Sequence, residues 1–225
     1  MPVDPQKRDT NPANQTSGRT LDHAALVYDL LAPLMTFGLE RGYRRRARTL
    51  LQLQGNEQAL DVGCGTGTLS REIARDLDPQ RSKVVGVDAA AAMIEVARRK
   101  GSALANLQFD AALAEQLPYA ENSFDCAVST FFFHHVEFAL KQRALAELRR
   151  TVKPGGRIVI VDVDVPSNPF GALCAWSGYL LFRQEEIREN IRGRLREAIN
   201  NAGFASVQLV SRHSGYISIF LLHNG

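Results

Sequence analysis

The sequence predicts an α/β fold: a doubly wound, mostly parallel sheet of seven strands, closed by an antiparallel hairpin. Three observations predict it. Short apolar runs of five to seven residues alternate with longer segments of helical periodicity from about residue 58 to residue 163. The first run ends in a glycine-rich turn, Asp61-Val62-Gly63-Cys64-Gly65-Thr66-Gly67, which leads straight into a helix pattern. The last two runs, about 205–211 and 215–223, are separated by a short turn and read as a hairpin.

Residues 1–20 are rich in Asn, Pro, Gln, Thr, Ser and Asp and nearly free of apolar residues. Such a segment buries too little surface to order itself, and a disordered tail is expected. A single domain is expected over 21–225. It opens with a helical cap over 21–54. Leu26, Leu30, Leu31 and Leu34 recur at helical spacing up to Pro33, and a second helix runs from about Gly38 to Leu53, interrupted at Gly42 and stopped by Gly55. Strand one is expected at 58–62 and its helix at 68–77. Strand two follows at 83–88 with a helix at 90–100, and strand three at 106–110. Strand four is expected at 124–130, with a helix at 138–152, and strand five at 157–163. A helical insertion over 166–200 starts at Pro166-Ser167-Asn168-Pro169. It carries the apolar run Phe170–Phe182 with the only tryptophan, Trp176, and then a charged helix from Gln184 to Asn201, stopped by Gly203.

Composition excludes several classes. The chain has 225 residues, 45% of them hydrophobic and 23% charged, and a net charge of only +3. That suits a soluble globular domain, not a polyanion binder. No apolar run reaches the roughly 18 residues of a membrane span, and the first residues lack an apolar signal core, so a cytoplasmic location is expected. Cys64, Cys126 and Cys174 form no C-x-x-C pair, which argues against a disulfide framework and a zinc site. Five arginines, Arg41, Arg44, Arg45, Arg46 and Arg48, crowd one segment. They read either as a solvated helix face or as a contact for an anionic membrane surface or an acidic substrate.

The glycine turn carries the chemistry. Twenty-one residues past Gly67, the run Val84-Val85-Gly86-Val87 ends in Asp88. A carboxylate at the end of the second strand accepts hydrogen bonds from ribose hydroxyls, so the pair of features points to an adenosine-containing ligand. The spacing is G-x-G-x-G. A dinucleotide site reads G-x-G-x-x-G, and its third glycine would fall at Thr68.

The stretch D-x-G-x-G-x-G, followed by an acid ending the next strand, resembles class I S-adenosylmethionine-dependent methyltransferases. Further segments resemble the branch that includes the ubiquinone/menaquinone biosynthesis C-methyltransferases. They are Ala114-Glu115-Gln116-Leu117-Pro118-Tyr119, Asn122-Ser123-Phe124-Asp125, Phe133-His134-His135-Val136 and Lys153-Pro154-Gly155-Gly156. The opening Tyr28-Asp29 to Glu40 is similar, more loosely, to the quinone enzymes and to bacterial phosphatidylethanolamine N-methyltransferases.

The resemblance implies a Rossmann-like sheet with helices on both faces and N-terminal helices over the site. It implies S-adenosyl-L-methionine as cofactor. Carried over residue by residue, it implies a cofactor site of Tyr28, Asp61, Gly63, Cys64, Gly65, Gly67, Asp88, Ala89, Met93, Leu113, Ala114 and Thr130. Leu113 departs from the family, which has an adenine-binding Asp there. Either Asp110 substitutes for it, or the Ala114 backbone and apolar stacking hold adenine alone.

Methyl transfer from a sulfonium is an in-line displacement, so the protein mainly holds donor and acceptor in line. A base is needed only if the acceptor must lose a proton. The candidates are His134, Tyr28 and Asp162. His134 and His135 read alternatively as a cap that positions the methionine arm, and Asp162 and Asp164 as solvated rim residues. The expected partner is a small-molecule acceptor. The run 170–182 reads as a wall or lid of the acceptor pocket or as a core helix; a lid implies a lipophilic acceptor, such as a quinone precursor or a phospholipid, and peripheral membrane association. No nucleic-acid partner is expected, because the turn after strand four lacks the Asn/Asp-Pro-Pro-aromatic motif. Two other readings stay open: a nicotinamide-dependent dehydrogenase and a non-catalytic binding module.

Overall fold

The computed structural model describes residues 40–225. The expected tail, the first cap helix and Tyr28 lie outside the described residues. Helix α1 (Glu40–Leu51) leads into β1 (Gln58–Val62), α2 (Thr68–Asp76), β2 (Lys83–Asp88), α3 (Ala91–Gly101) and β3 (Leu107–Ala111). Strand β4 (Phe124–Thr130) ends in a 3-10 turn (Phe133–His135), followed by α4 (Phe138–Thr151) and β5 (Val152–Val163). Helices α5 (Pro169–Phe182), α6 (Glu185–Ile191) and α7 (Arg194–Asn201) precede the hairpin β6 (Ser206–His213) and β7 (Ile217–His223).

The seven strands form one sheet in the order β3-β2-β1-β4-β5-β7-β6. The pairs among β1 to β5 are parallel, and β7 runs antiparallel to both β5 and β6. The order reverses between β1 and β4, so a crevice opens beyond their carboxyl ends. Central strands are apolar on both sides, as burial between two helical layers requires. Val159 and Val161 face one core with Tyr43 and Ala47 of α1 and Ile73 of α2. Ile158 and Ile160 face the other with Leu145 and Leu148 of α4 and Leu195 of α7.

Four local expectations are corrected. Helix α1 runs through Gly42 without a break. Strand β5 starts at Val152, five residues early; its register shifts opposite Phe124 and Cys126, where the Lys153–Gly156 turn is absorbed into the strand. The charged helix is two helices, because Gly193 adopts φ 88° between α6 and α7. Asp162 and Asp164, expected at a solvated rim, are both fully buried.

One packing feature fixes the nucleotide end of the sheet. The Phe109 ring of β3 lies where a Cβ on Gly67, Gly86 or Gly101 would stand, at 2.4, 2.7 and 2.8 Å. Three glycines from a loop, a strand and a helix leave one aromatic-sized hollow, and Phe109 fills it.

Candidate functional site

The glycine loop begins where β1 ends. Gly63 and Cys64 both donate their N–H to the Val87 carbonyl, at 2.9 and 3.0 Å, which folds the chain back over β2. Gly63, Gly65 and Gly67 all have positive φ, and Gly67 stands at the N-terminus of α2. Their surroundings differ. A Cβ on Gly63 would strike Phe132 at 2.6 Å, whereas nothing among the described residues lies within 4 Å of one on Gly65. The middle glycine thus presents open backbone on the crevice side, where a ligand can come close.

Asp88 ends β2 as expected. Its Oδ2 accepts the Gly65 N–H at 2.9 Å and its Oδ1 accepts the Ala90 N–H at 2.9 Å. The carboxylate is therefore oriented by both the glycine loop and the start of α3, next to Ala89. Met93, on the first turn of α3, is buried with Ala90. Leu113 bridges Gln116 across a tight turn, and Ala114 is buried behind it. Asp110 accepts the Tyr119 hydroxyl at 2.8 Å and the Gln108 side-chain amide at 2.8 and 2.9 Å. Burial, then the bond to Asp110, pushes the Tyr119 hydroxyl up.

Asp61 is fully buried and accepts the Ser70 hydroxyl at 2.6 Å. Burial, reinforced by Asp88, raises its carboxyl to about 7. The Cys64 thiol is pushed well up by burial and by Asp61 and Asp88, which makes it a small filler and not a nucleophile.

At the other side of the crevice, Thr130 ends β4 and Phe131 turns left-handed at φ 55°, rare for an aromatic residue. This turn lays Phe132 on Gly63 and aims Phe131 at the ring of Tyr43 from α1, 5.8 Å away. His134 follows in the 3-10 turn, packed on His135 with 3.9 Å between ring centroids. Asp162 anchors the turn. Its Oδ2 accepts the Phe133 N–H at 2.7 Å; its Oδ1 accepts the Val163 N–H at 2.7 Å and lies 2.7 Å from His134 Nδ1. Both oxygens already accept backbone N–H groups, so Asp162 acts as acceptor and Nδ1 carries the proton. That tautomer leaves the lone pair of His134 on Nε2.

Asp164 has a different job. It accepts Arg196 Nε at 2.7 Å and the Ser218 hydroxyl at 2.5 Å, tying α7 to β7 and away from the crevice. The structure thus joins Asp61, Asp88 and the glycines at one end and Thr130, His134 and Asp162 at the other. Sequence reasoning missed Ser70, Phe132, Tyr119 and Gln184, which bonds His135 at 3.2 Å. Only the Tyr at 119, where the family has Phe, carried a signal.

A family model described as a methyltransferase domain matches residues 59–156. A ubiquinone/menaquinone biosynthesis C-methyltransferase from Haemophilus ducreyi is 30% identical over 222 residues, covering 89% of this chain and 83% of the relative. Its counterpart from Hahella chejuensis is 34% identical over 157 residues, 67% of this chain and 61% of that protein. Among solved structures, a SAM-dependent methyltransferase from Aquifex aeolicus shares the fold with a TM-score of 0.64 at 20% identity, over 91% of this chain and 98% of that one. The N-methyltransferase NodS from Bradyrhizobium japonicum, solved with S-adenosyl-L-homocysteine, has a TM-score of 0.60 at 15% identity, over 83% and 87%.

Fold, glycine loop and the acid that ends β2 define a class I S-adenosylmethionine-dependent methyltransferase. The chain belongs to this family, in the branch that contains the ubiquinone/menaquinone biosynthesis C-methyltransferases. It is an enzyme, and its cofactor is S-adenosyl-L-methionine. The dehydrogenase and non-catalytic readings are not favoured. The residues present fit the cofactor: Gly65 offers open backbone, and Asp88 stands oriented at the end of β2.

Proposed function

We propose that the enzyme methylates a ring carbon of a lipophilic hydroquinone, with His134 as general base and Asp162 as its positioning residue. The hydrogen-bonded pair His134–Asp162 beside the glycine loop carries this reading. When bound, the cofactor supplies a methyl group activated on a sulfonium.

A hydroquinone carbon is a weak nucleophile until its hydroxyl ionises. His134 Nε2 takes the hydroxyl proton, and the ring carbon gains the electron density that attacks the methyl group. The electron pair of the broken methyl–sulfur bond stays on the departing thioether, and the ring C–H proton then passes to water, which restores aromaticity. Asp162 holds the imidazole in the tautomer this requires and stabilises the imidazolium that forms. The wider cofactor site consists of Asp61, Gly63, Cys64, Gly65, Gly67, Asp88, Ala89, Met93, Ala114 and Thr130, and the resemblance adds Tyr28, which lies outside the described residues. At the adenine edge Leu113 offers no acceptor, so the Ala114 backbone and Asp110, steadied by Tyr119, take its part. The relatives named for quinone biosynthesis support the acceptor class.

The test is methyl transfer to a prenylated naphthohydroquinone kept reduced by dithionite, with phosphatidylethanolamine as the comparison acceptor. His134→Ala is expected to lower kcat by 100-fold or more, on the order of what a general base contributes. Asp162→Asn is expected to lower kcat and move its acid limb while S-adenosylhomocysteine still binds. Unchanged kcat in both variants, or transfer to phosphatidylethanolamine alone, rules the reading out.

A further inference from the structure

Helix α5 has its large side chains on the wrong side for a core helix. Phe170, Leu173, Trp176, Leu180, Leu181 and Phe182 are all exposed, and they are six of the eight large hydrophobics exposed among the described residues. Its inward face is small: Gly171 and Ala175 are the buried positions. Close approach holds the helix in place. Gly171 has no room for a Cβ against the Gly215 carbonyl oxygen, 2.3 Å away, and Asn168 caps the first turn through the Gly171 N–H at 2.7 Å. The helix carries no charged residue.

Its border is mixed where α6 follows, with Glu185 accepting the Tyr179 hydroxyl at 3.0 Å and pairing with Arg188, and basic elsewhere. Arg183 ends the helix, exposed and left-handed at φ 49°. The turn between β6 and β7 meets α5 where Gly171 approaches Gly215, bonds the segment just before the helix through Ser167 N–H to Gly215 O at 2.8 Å, and touches α1 through the Tyr43 and Ser214 hydroxyls at 3.4 Å. Exposed Arg212 lies just before that turn, and α1 exposes Arg41, Arg45 and Arg46. Arg44 and Arg48, by contrast, are spent on Glu72 and Asp76 of α2.

We propose that the outer face of α5, with this arginine border, is a docking surface for an anionic lipid bilayer. An apolar face with a tryptophan and a cationic fringe suits a helix lying in the plane of the headgroups. Fourteen residues span about 21 Å, too short to cross a hydrocarbon core of about 30 Å. A second copy of the chain fits worse, because a two-fold contact through this face would bring two arginine fringes together. Helix α5 follows the carboxyl end of β5, the same sheet edge as the glycine loop, so docking turns that edge toward the bilayer. The docking surface does not depend on the acceptor assignment, since its test contains no acceptor.

The native protein is sedimented with vesicles of phosphatidylcholine alone and of phosphatidylcholine mixed with phosphatidylglycerol. It is expected to pellet with the anionic vesicles, less so at high salt, and to stay in the supernatant with the neutral ones. Trp176, the only tryptophan of the chain, reports the contact directly: its emission is expected to shift to the blue and to be quenched by brominated lipid. In the double variant Leu180→Gln, Leu181→Gln, partitioning is expected to fall at least about tenfold while S-adenosylhomocysteine still binds. Absence of pelleting with anionic vesicles, or an unquenched Trp176, overturns the proposal. So does a solution dimer that the double variant converts to a monomer, which would assign the face to a second copy.

Discussion

Gly63, Gly65 and Gly67 share a left-handed backbone, but Phe132 and Phe109 bar a side chain at Gly63 and Gly67 while Gly65 faces open space among the described residues. Gly67→Ala would push a Cβ into the Phe109 ring, and strain and overpacking together are expected to cost at least about 2 kcal/mol of stability by denaturant melt. Gly65→Ala meets no atom of the described residues. Its stability loss should stay near the ~1–2 kcal/mol of the backbone strain, and its main effect should be a drop of about tenfold or more in S-adenosylhomocysteine affinity by calorimetry. Equal effects of the two on stability would mean that Gly65 does not face the ligand. Asp61 adds a pH dependence. Its folded value of about 7 lies above the usual 3.8, so in the absence of cofactor it favours the folded state at low pH, and this contribution is lost as pH rises from 3.8 through 7. A cationic cofactor favours the carboxylate instead. Cofactor affinity should therefore fall as pH drops below 7, with proton release visible in buffers of different ionisation heat, and Asp61→Asn should abolish the release.

At the scale of elements, the 3-10 turn that carries His134 is held from three sides. Asp162 of β5 binds its backbone, Gln184 binds His135, and α6 is clamped to α4 by Lys141. The Lys141 ammonium is completely buried, bonded to the Val136 carbonyl and to Glu189 at 2.9 Å, and burial lowers its proton affinity. The two partners are unequal, because Glu189 is partly exposed. Removing the acid strands a buried cation, whereas removing the lysine leaves an acid that water can reach. Glu189→Gln is expected to destabilise by about 3 kcal/mol and Lys141→Met by clearly less, on the scale of a buried pair broken from one side. Equal losses in thermal melts would show that the clamp is not electrostatic.

Across the whole molecule, the hairpin β6–β7 completes the sheet beside β5, the strand that supplies Asp162 and ends just before Asp164. Val159, Ile160 and Val161 of β5 pair with Leu221, Phe220 and Ile219 of β7. Truncation after Gly203 would expose that edge and both of its apolar faces. The truncated chain is expected to aggregate instead of folding, read by circular dichroism and light scattering; a soluble, cofactor-binding truncation would show that the first five strands are a sufficient fold.

The alternation of apolar runs and helical periods set the strand sequence of this sheet, because a parallel sheet buried on both faces needs near-continuous apolar strands. The D-x-G-x-G-x-G turn and the acid at Asp88 also show in the sequence, since both are local backbone requirements at strand ends. What lay beyond the sequence depends on contacts between distant segments. Nothing local says that Phe109 fills a hollow made by Gly67, Gly86 and Gly101, or that Asp162 turns inward to hold His134 while Asp164 is taken by Arg196. The apolar run 170–182 is the sharpest case. Its composition fits a wall or lid of a pocket and a core helix equally, and only the close approach of Gly171 to Gly215 turns its large side chains outward. Sequence period decides what an element is; the shape of the neighbour it meets decides which way it faces.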